Sequence, residues 1–477
     1  MEVEDSGRCI AVRFFSENGD GLGGSAILLP LCATTSQLET LCNELLDSSS
    51  DPIPITFRTK SGILIEDSLS NSIPEEEIEV EKSIEIVYYP EAVFRVRPVT
   101  RCTSSIPGHG EPVLCLQFSP NGRGLASGSS DTTIRFWDLS TETPLHTGKG
   151  HTKSVLCIAW SPNGQTVASA CKNGEICLWD PKKGNQIGRK LIGHKKWINQ
   201  LSWEPYHSNP QCRYLASAGK DGDIRIWDIV KYGSVRCLSG HIASVTCVKW
   251  GGEGLIYSGS QDRTIKVWRA ADGTLCRTLL GHAHWVNSLT LNVDYAMRTS
   301  FWNALELPNV SFDKEKCHQQ ALEQYQKAKG SSGEVLVSSS DDFTLYLWKP
   351  AEDRKPRVHM TGHMQPVIQV MFSPNARYVA SASFDKSIKL WCGRTGAFID
   401  TLRGHVQAVY QIAWSADSRL LVSGSADSTL KVWDIEKRGL CRDLPGHGAD
   451  VYAVDWSPDG TRVASGGKDK VLKMWRL

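Results

Sequence analysis

Short runs of alternating hydrophobic and polar residues dominate the chain from about residue 100 to its end. The runs around Cys115, Cys157, Cys177 and Cys247 show this two-residue period, which is typical of β-strands with one buried face. Turn residues separate the runs, and four runs recur in most stretches of 41 to 43 residues. The pattern predicts a mainly β fold made of repeated four-stranded units.

A Gly-His pair near the start and a tryptophan near the end mark each unit. The pairs are Gly108-His109, Gly150-His151, Gly193-His194, Gly240-His241, Gly281-His282, Gly362-His363, Gly404-His405 and Gly446-His447. The tryptophans are Trp137, Trp179, Trp227, Trp268, Trp348, Trp391, Trp433 and Trp475. The units resemble the WD-repeat family, in which each repeat forms one four-stranded blade of a β-propeller. Eight units predict an eight-bladed propeller, with 108–477 as its domain.

An aspartate stands six residues before the tryptophan in all units but one, and a serine stands four residues before that position. Asp, His, Ser and Trp side chains can form a chain of hydrogen bonds, which in WD repeats is buried and ties the turns of a blade to its inner strands. The predicted members include His109, Ser127, Asp131 and Trp137 in the first unit, His241, Ser258, Asp262 and Trp268 in the fourth, and His405, Ser423, Asp427 and Trp433 in the seventh. Asn173 replaces the aspartate in the second unit; it keeps an acceptor but loses the charge, so we expect this blade to be held less firmly.

A hydrolytic Ser-His-Asp triad is the alternative interpretation of these residues. Eight regularly spaced copies argue against it, because an active site needs a single constellation. The stretch 19–24 (GDGLGG) matches GxGxxG, but a strand is predicted after it instead of a helix, which favours a turn over a dinucleotide site. No phosphate loop or zinc-protease motif occurs in its required context, so we expect no enzyme activity and no cofactor or metal of its own.

The two ends of the repeat region predict how the ring closes. The last unit ends at Leu477, two residues after its tryptophan, and so lacks an outer strand. Arg101–Ile106 precedes the first Gly-His pair, and we expect it to supply that strand, which makes 95–107 a linker followed by a closing strand. In the fifth unit the surplus residues lie at about 294–334, where Lys314–Lys329 predicts a helix; this insertion is either a binding element or a surface loop.

Residues 1–94 predict a separate small α+β domain. Strands are expected at 8–15, 25–31, 53–57 and 84–89, with a helix over Thr35–Leu46 for which Ser36 is a plausible cap. A hairpin, one helix and further strands in this length fit a ubiquitin-like fold.

Charge divides the chain at the same place. Residues 1–94 hold 18 acidic and 5 basic residues, a net charge of −13, whereas the remainder holds 34 acidic and 48 basic residues, a net charge of +14. This asymmetry indicates two surfaces for two kinds of partner, although each half could simply be solvated. The fifteen cysteines include no CxxC pair, which favours reduced thiols in an intracellular protein. We expect no membrane-spanning segment and no secretory signal.

The acidic run Glu75–Lys82 is the candidate binding feature of the first domain. Alternation of Ile78 and Val80 with Glu79 and Glu81 predicts that the two carboxylates face outward where a strand begins. An exposed carboxylate on a firm element can complete the coordination shell of a partner's Mg²⁺ ion. A solvated acidic loop is the alternative.

The acidic domain, the linker 90–105 and the eight units together resemble the Notchless family over the whole chain. The runs 136–144 (FWDLSTETP), 260–268 (SQDRTIKVW) and 383–391 (SFDKSIKLW) carry the likeness. The resemblance implies a nucleolar and nuclear (nucleoplasmic) assembly factor of the large ribosomal subunit. Its propeller would dock on the pre-ribosome, contacting ribosomal RNA and proteins. Its ubiquitin-like domain would be grasped by midasin, a ring ATPase whose adhesion site carries the Mg²⁺, and the family's metal-contacting glutamate falls on Glu81. A monomer is expected.

The alternative function is a substrate adaptor of a ubiquitin ligase or a Notch-pathway signalling scaffold. Adaptors of that kind carry a Trp-Asp-x-Arg ending on a blade, and only 391–394 (WCGR) approaches it, with cysteine at the aspartate position.

Overall fold

The computed structural model describes residues 9–16, 21–46, 55–60, 63–65, 68–72, 83–90, 96–302, 314–330 and 333–476. The chain divides into two compact units, Met1–Arg95 and Val96–Leu477, and each is described by itself.

A five-stranded sheet with one main helix forms the first unit. Its elements are β1 (Cys9–Phe15), β2 (Gly21–Pro30), α1 (Thr35–Leu45), β3 (Ile55–Thr59), β4 (Leu64–Ile65), α2 (Leu69–Ser72) and β5 (Ile84–Pro90). The strand order is β2-β1-β5-β3-β4. β1 and β5 are parallel, with Val12 opposite Ile84, and the other pairs are antiparallel. Leu38 and Cys42 of α1 are buried in the apolar cluster formed with Val12, Phe14 and Phe57 of the sheet.

Two local predictions for this unit were wrong. Thr34, not Ser36, is the N-cap of α1, and the backbone N–H of Thr34 donates to Gln37 Oε1 at 3.0 Å. This contact is half of a capping box, in which the residue three places after the cap returns a hydrogen bond. The turn predicted over 19–24 was wrong for its described part: Gly19 and Asp20 lie outside the described residues, whereas Gly21–Gly24 lies in β2. Gly21 and Leu22 pair with Phe15 and Phe14, next to a shift of register. A strand therefore continues through the glycines, and the helix that a dinucleotide site requires does not follow them.

Eight four-stranded antiparallel sheets form the described part of the second unit. Sheets 1 to 4 contain β7–β10 (Val113–Phe118, Gly124–Ser129, Thr133–Asp138, Thr143–Lys149), β11–β14 (Val155–Trp160, Val167–Cys171, Glu175–Trp179, Leu191–Ile192), β15–β18 (Ile198–Trp203, Tyr214–Gly219, Asp223–Asp228, Gly233–Ser239) and β19–β22 (Val245–Trp250, Leu255–Ser260, Thr264–Arg269, Leu275–Leu280). Sheets 5 to 7 contain β23–β26 (Val286–Leu291, Leu336–Ser340, Leu345–Trp348, Val358–Met360), β27–β30 (Val367–Phe372, Tyr378–Ser383, Ser387–Cys392, Phe398–Arg403) and β31–β34 (Val409–Trp414, Leu420–Ser425, Thr429–Asp434, Gly439–Pro445). Sheet 8 contains β35–β37 (Val451–Trp456, Val463–Gly467, Val471–Arg476) and β6 (Arg101–Pro107).

The sheets close into a propeller-like ring. The first strand of each sheet contacts the first strand of the next, and β35 of sheet 8 contacts β7 of sheet 1. β6 pairs antiparallel with β37, with Ile106 opposite Leu472, as the missing outer strand of the last unit predicted. The edge of sheet 8 is therefore paired within the chain, which removes a free row of backbone donors and acceptors.

Small residues on the second strands let neighbouring sheets approach closely. A Cβ atom added to Gly128 of β8 would lie 2.7 Å from Val155 Cγ1 of the next sheet and 2.8 Å from Cys115 Sγ of its own. The second strand of sheet 2 is completely buried, with the sequence VASAC. The Ala, Ser and Gly residues of these strands thus fit the narrow space between the faces of successive sheets.

Loops at the two ends of the ring define two faces. At one end, here called the histidine face, lie the loops with the Gly-His pairs and those that join the second and third strands of each sheet. At the other end, here called the insertion face, lie the loops that join first and second strands. Because the insertion joins β23 to β24, it belongs to the insertion face.

The described part of the insertion packs against the ring itself. It contains α3 (Asp294–Thr299) and α4 (Lys314–Lys329), and the bounds of α4 confirm the predicted helix. Cys317 and Ala321 of α4 lie in the apolar cluster of sheets 2 and 3. Tyr325 Oη donates to Glu334 Oε1 at 2.9 Å, and Tyr257 Oη of sheet 4 donates to Glu334 Oε2 at 2.8 Å. These contacts tie the helix to three sheets other than its own.

An ion pair links the insertion to sheet 8 as well. Both Nη atoms of Arg298 donate to the Asp455 carboxylate, at 3.0 and 2.5 Å, and the Phe118 backbone N–H donates to Asp455 Oδ2 at 2.8 Å. Asp455 is 8% exposed at its side chain. Arg298 thus joins sheet 5 to the place where sheets 8 and 1 meet.

No described cysteine side chain is in a disulfide: the fourteen whose side chains the structure describes are free thiols. Cys177 and Cys247 are buried, whereas Cys115 and Cys157 are half-buried. Among the described helices none is both long enough and apolar enough to cross a membrane.

We predict that Arg298→Ala lowers the free energy of unfolding of the ring by about 3 kcal/mol, because it leaves the buried Asp455 carboxylate without its cation. All sixteen tryptophans lie in the second unit, so tryptophan fluorescence during urea unfolding of the full chain reports on the ring alone. The control is Arg269→Ala, whose side chain is 59% exposed and pairs at the surface with Asp272. An Arg298→Ala midpoint equal to that of the control would show that the pair does not hold the ring together.

Candidate interaction site

A chain of four side chains connects the histidine face of each sheet to its interior. In sheet 1, Trp137 Nε1 donates to Ser127 Oγ at 2.8 Å, His109 Nε2 lies 2.8 Å from the same oxygen, and His109 Nδ1 lies 2.9 Å from Asp131 Oδ2. The carboxylate can only accept, so His109 carries a proton on Nδ1 and accepts from Ser127 through Nε2. The donors then run in one direction, from indole to hydroxyl to imidazole to carboxylate.

The same geometry recurs around the ring. In all eight sheets the distance from the tryptophan Nε1 to the serine Oγ is 2.7 to 2.9 Å. In sheets 4 and 7 the distances from histidine Nδ1 to the carboxylate are 2.7 Å (His241 to Asp262) and 2.8 Å (His405 to Asp427). Ser258 and Ser423 accept from Trp268 and Trp433.

The surroundings of the aspartates keep them charged. Burial alone would raise the pKa of Asp427, but hydrogen bonds from the Thr429 hydroxyl, the Val406 backbone N–H and His405 outweigh burial and lower the pKa to about 2. Burial alone would also raise the pKa of Asp131. Hydrogen bonds from His109, Thr133 and the Gly110 backbone N–H outweigh burial, so the pKa of this carboxyl lies well below its usual value. A charged acceptor at the end of each chain strengthens its hydrogen bonds.

The serines are inaccessible to a substrate. Ser127, Ser258 and Ser423 are 0% exposed, and each oxygen already accepts an indole N–H. A serine nucleophile needs an open approach to an electrophile, which these positions lack. The geometry therefore favours a structural role for the repeated Ser-His-Asp sets.

Sheet 2 departs from the pattern of the other sheets, and the sequence predicted only part of this difference. Asn173 was expected to keep an acceptor for the histidine, but its described hydrogen bonds are donated by Nδ2, to Thr152 Oγ1 and Glu175 Oε1. His151 keeps its contact with Ser169 Oγ at 2.6 Å, while Nδ1 has only Cys177 Sγ, at 3.8 Å. Burial, with the charge of Lys190, lowers the pKa of His151 to about 4.

His151, Cys171 and Glu175 of this sheet also have their possible ligand atoms within 4.8 Å of one another. Glu175 is already engaged, because Lys190 Nζ lies 3.0 Å from Oε2 and Asn173 Nδ2 lies 3.1 Å from Oε1. Sheet 2 thus has a carboxylate two residues after Asn173, at Glu175, and this carboxylate pairs with Lys190.

The segment that precedes the closing strand is anchored on the ring. The Val96 backbone N–H donates to Asp417 Oδ2 of sheet 7 at 2.8 Å, and the Thr100 N–H donates to the Arg476 carbonyl oxygen at 2.8 Å. Val96 and Val99 are 5% and 0% exposed. Residues 96–100 of the predicted linker are therefore part of the second unit.

Glu79 and Glu81, the predicted contacts of the first unit, lie outside the described residues. The sequence places Glu81 three residues before β5 begins at Ile84. Their role stays a prediction.

Comparison with known families matches both units. Residues 100–138, 142–180, 185–228, 233–269, 354–392, 396–434 and 439–476 match the family described as WD domain, G-beta repeat. Residues 10–73 match the NLE (NUC135) domain. The seven matched repeats leave out 270–353, which contains the insertion and three of the four strands of sheet 5, β23 to β25.

Curated relatives align with most of the chain. Protein Notchless of Drosophila melanogaster is 52% identical over 79% of this chain and 77% of its own length. The Notchless protein homolog of Arabidopsis thaliana is 52% identical over 84% of each. Ribosome assembly protein 4 of Saccharomyces cerevisiae is 48% identical over 82% of this chain and 79% of its own length. Among solved structures, the computationally designed Ika8 protein matches with a TM-score of 0.61 and 27% identity, over 78% of this chain and 98% of that one.

We predict that Asp427→Ala destabilises the ring by about 2 kcal/mol, because it removes a charged acceptor and leaves buried His405 without its partner. Asn173→Ala is the matched control: it changes the equivalent position in sheet 2, where no hydrogen bond to the histidine is lost. Urea unfolding followed by tryptophan fluorescence measures both. Equal losses in the two variants would contradict the assigned role of the carboxylate.

We also predict that this stabilisation depends on pH. The folded-state pKa of Asp427 is lowered to about 2, below an unfolded value near 3.9. Its contribution is therefore complete above about pH 4 and is lost as the pH falls toward 2. The difference in melting temperature between the wild type and Asp427→Ala should narrow over that range; a difference that stays constant from pH 5 to pH 2 would contradict the prediction.

Proposed function

The chain belongs to the Notchless family of WD-repeat proteins, and we propose on that basis that it is a non-catalytic assembly factor of the large ribosomal subunit. Support comes from the relatives named ribosome assembly protein 4, one of which is 48% identical over 82% of the chain. The buried state of every network serine adds to it, since the repeated polar sets hold the ring together and offer no reactive group.

The proposal assigns one role to each unit. The ring is an eight-bladed propeller in which sheet 5 is a WD blade interrupted by the insertion, and it docks on pre-ribosomal RNA and proteins. The first unit is a ubiquitin-like domain. The central parallel pair β1 and β5 and the packing of α1 on the sheet support this assignment. The protein acts as a monomer in the nucleolus and nucleoplasm.

The first unit is engaged by midasin through a shared cation. Glu81, with Glu79 beside it, supplies a carboxylate oxygen to Mg²⁺ held in the adhesion site of that ATPase. Carboxylate oxygens are the ligands that a hard cation such as Mg²⁺ prefers. The net charge of −13 on residues 1–94 favours association with a cation-bearing surface.

ATP-driven traction on the first unit then remodels the particle and releases the factor. Only 91–95 separate β5 from the anchored segment that begins at Val96. A pull applied to the first unit would therefore reach the ring at Asp417 and the closing strand β6 after a few residues. Traction would act on the whole ring because β6 is paired with β37 along 101–107.

We predict that Glu81→Ala weakens binding of the full chain to the midasin adhesion domain in Mg²⁺ by about tenfold or more, equivalent to about 1.4 kcal/mol. EDTA should weaken binding of the wild type to the same extent and should have no further effect on the variant. Surface plasmon resonance with immobilised adhesion domain measures both conditions.

Glu76→Ala is the matched control, since it removes one charge from the same acidic run. Its binding should stay close to that of the wild type. If Glu76→Ala and Glu81→Ala weaken binding equally and EDTA has no effect, general charge and not metal coordination holds the complex. Capture of a cullin adaptor from cell extract in place of ribosomal proteins would favour the ubiquitin-ligase alternative.

A further inference from the structure

Five lysines lie close together in one sector of the histidine face. Lys153, Lys172, Lys195, Lys196 and Lys220, here called the basic patch, lie in the loops of sheets 2 and 3, and all are exposed. In the part of the chain that the structure describes, no carboxylate forms an ion pair with any of them. The Asp221 carboxylate lies in the same loops and accepts from the Lys195 backbone N–H, but five lysines outnumber it, so the patch favours an anionic partner.

Contacts between the loops fix the relative positions of these lysines. Lys172 Nζ lies 4.3 Å and Lys220 Nζ 4.1 Å from the centre of the Trp197 ring. The Lys220 backbone N–H donates to the Trp197 carbonyl oxygen at 2.8 Å, and the Lys172 N–H donates to the Ser154 carbonyl oxygen at 2.9 Å. Two cation–π contacts therefore hold two ammonium groups beside one indole, so their positions are set before a ligand arrives.

The loops also pack tightly on each other. Gly174 follows Lys172 by two residues, and a Cβ atom there would lie 2.6 Å from the His194 carbonyl oxygen and 2.7 Å from that of Lys196. Its φ of +80° lies in the left-handed region that favours glycine. The lysine loops of sheets 2 and 3 thus form one continuous surface.

A cavity adjoins the patch. It has a volume of about 300 Å³ and is lined by Trp197, Lys220, Asn199, Ser244, Thr246 and Gln261. Hydroxyl and amide groups line it and no carboxylate does. The Asn199 amide and the Thr246 hydroxyl already donate within the ring. The Gln261 amide and the Ser244 hydroxyl can bind sugar hydroxyls and base edges, while the half-exposed indole offers an aromatic surface.

In three other sheets, exposed apolar residues follow the network histidines on the histidine face. The residue after the network histidine is apolar and exposed at Ile242, Met364 and Val406 in sheets 4, 6 and 7. In sheet 3 the corresponding position is Lys195, and in sheet 2 Lys153 lies one residue further on. The loops that join second and third strands carry further exposed cations, Arg263 in sheet 4, Lys386 in sheet 6, and Lys468 and Lys470 in sheet 8, so the basic patch is the largest group of cations in the loops of this face.

We propose that the basic patch is a binding site for the phosphodiester backbone of single-stranded RNA, with Lys172 and Lys220 contacting phosphates and the adjoining cavity receiving a nucleoside. This rests on the proposed docking of the propeller on the pre-ribosome and says which part of the ring makes the RNA contact. All five cations are lysines, which bind phosphate as point charges, whereas planar carboxylates of an acidic peptide are bound best by arginine. A cavity whose lining combines an aromatic ring with amide and hydroxyl groups also fits a nucleoside better than an acidic side chain.

The test is fluorescence anisotropy of the full chain with a labelled 20-nucleotide uridine RNA over a range of salt concentrations. Lys172→Gln/Lys220→Gln should bind about tenfold more weakly than the wild type. The slope of log affinity against log salt should fall by about 1.4, since each lost phosphate contact on a single strand removes about 0.7. Lys172→Arg/Lys220→Arg keeps both charges and should retain binding and slope.

Lys182→Gln/Lys183→Gln is the matched control. It removes two exposed charges from the same sheet, in the turn after β13 at the opposite end of the strands, and should bind as the wild type does. Lys172→Gln/Lys220→Gln should keep the far-ultraviolet circular dichroism and the urea unfolding midpoint of the wild type, because the changed side chains are exposed.

Three results would overturn the proposal in distinguishable ways. If the wild type binds RNA with a steep salt dependence and Lys172→Gln/Lys220→Gln does the same, RNA binds elsewhere on the ring and the proposed function stands. If the wild type shows no salt-dependent RNA binding, the patch and the RNA contact of the proposed function both fail. If labelled polyglutamate binds more tightly than RNA and depends on the same two lysines, the partner is an acidic protein. None of these variants should alter Mg²⁺-dependent binding of the first unit to midasin.

Discussion

Pairing of β6 with β37 is the constraint on which the second unit depends. It joins 101–107 to 471–476 through an antiparallel ladder, so the first and last segments of the repeat region lie in one sheet. Without it, sheet 8 would have three strands and an open edge, and β35 would have to hold against β7 by packing alone. Closure also fixes where the chain enters the ring, because the anchored Val96 precedes this strand by only five residues. The strand that completes the fold is therefore also the one through which traction on the first unit would be delivered.

Within the closed ring, two kinds of polar contact act at opposite ends of the sheets. At the histidine face, each network runs inside one sheet and, except in sheet 2, ends on an aspartate whose charge is preserved by the hydrogen bonds that it accepts. At the insertion face, polar contacts run between sheets instead: Asp455 receives Arg298 from sheet 5 and a backbone N–H from sheet 1. The first kind stiffens the individual sheets, and the second restrains their positions relative to each other. Both would help a ring under traction to stay closed, because separation of the insertion from sheet 8 would leave the buried Asp455 carboxylate without its cation.

Much of the ring could be predicted from the sequence because its signals repeat. The spacing of His109, Ser127, Asp131 and Trp137 returns in unit after unit, and the incomplete last unit pointed to the closing strand. The contacts of the insertion could not be predicted, because they occur once and join residues far apart: Arg298 and Asp455 are separated by 157 positions. The N-cap of α1 was missed for a local reason. Thr34 and Ser36 both have hydroxyl side chains, and the glutamine at position 37, three residues after Thr34, was the signal that distinguished them. Asn173 was recognised as an exception, but the pairing of Glu175 with Lys190 is a three-dimensional compensation that sequence spacing does not reveal.

The two units carry opposite net charges, and this difference suits them to different partners. In the proposed function an anionic particle would hold the ring and a cation-bearing partner would hold the first unit, and the charges of +14 on 95–477 and −13 on 1–94 suit these opposite demands. A chain with both charges mixed over one surface would bind each partner weakly and would attract itself. Separation also makes the two contacts respond differently to conditions: phosphate contacts weaken with salt, whereas coordination of a cation by a carboxylate depends on the metal and on the protonation of that carboxylate. The grouping of five lysines in the loops of sheets 2 and 3 extends this logic to the ring, since exposed apolar residues such as Met364 and Val406 follow the network histidines of sheets 6 and 7.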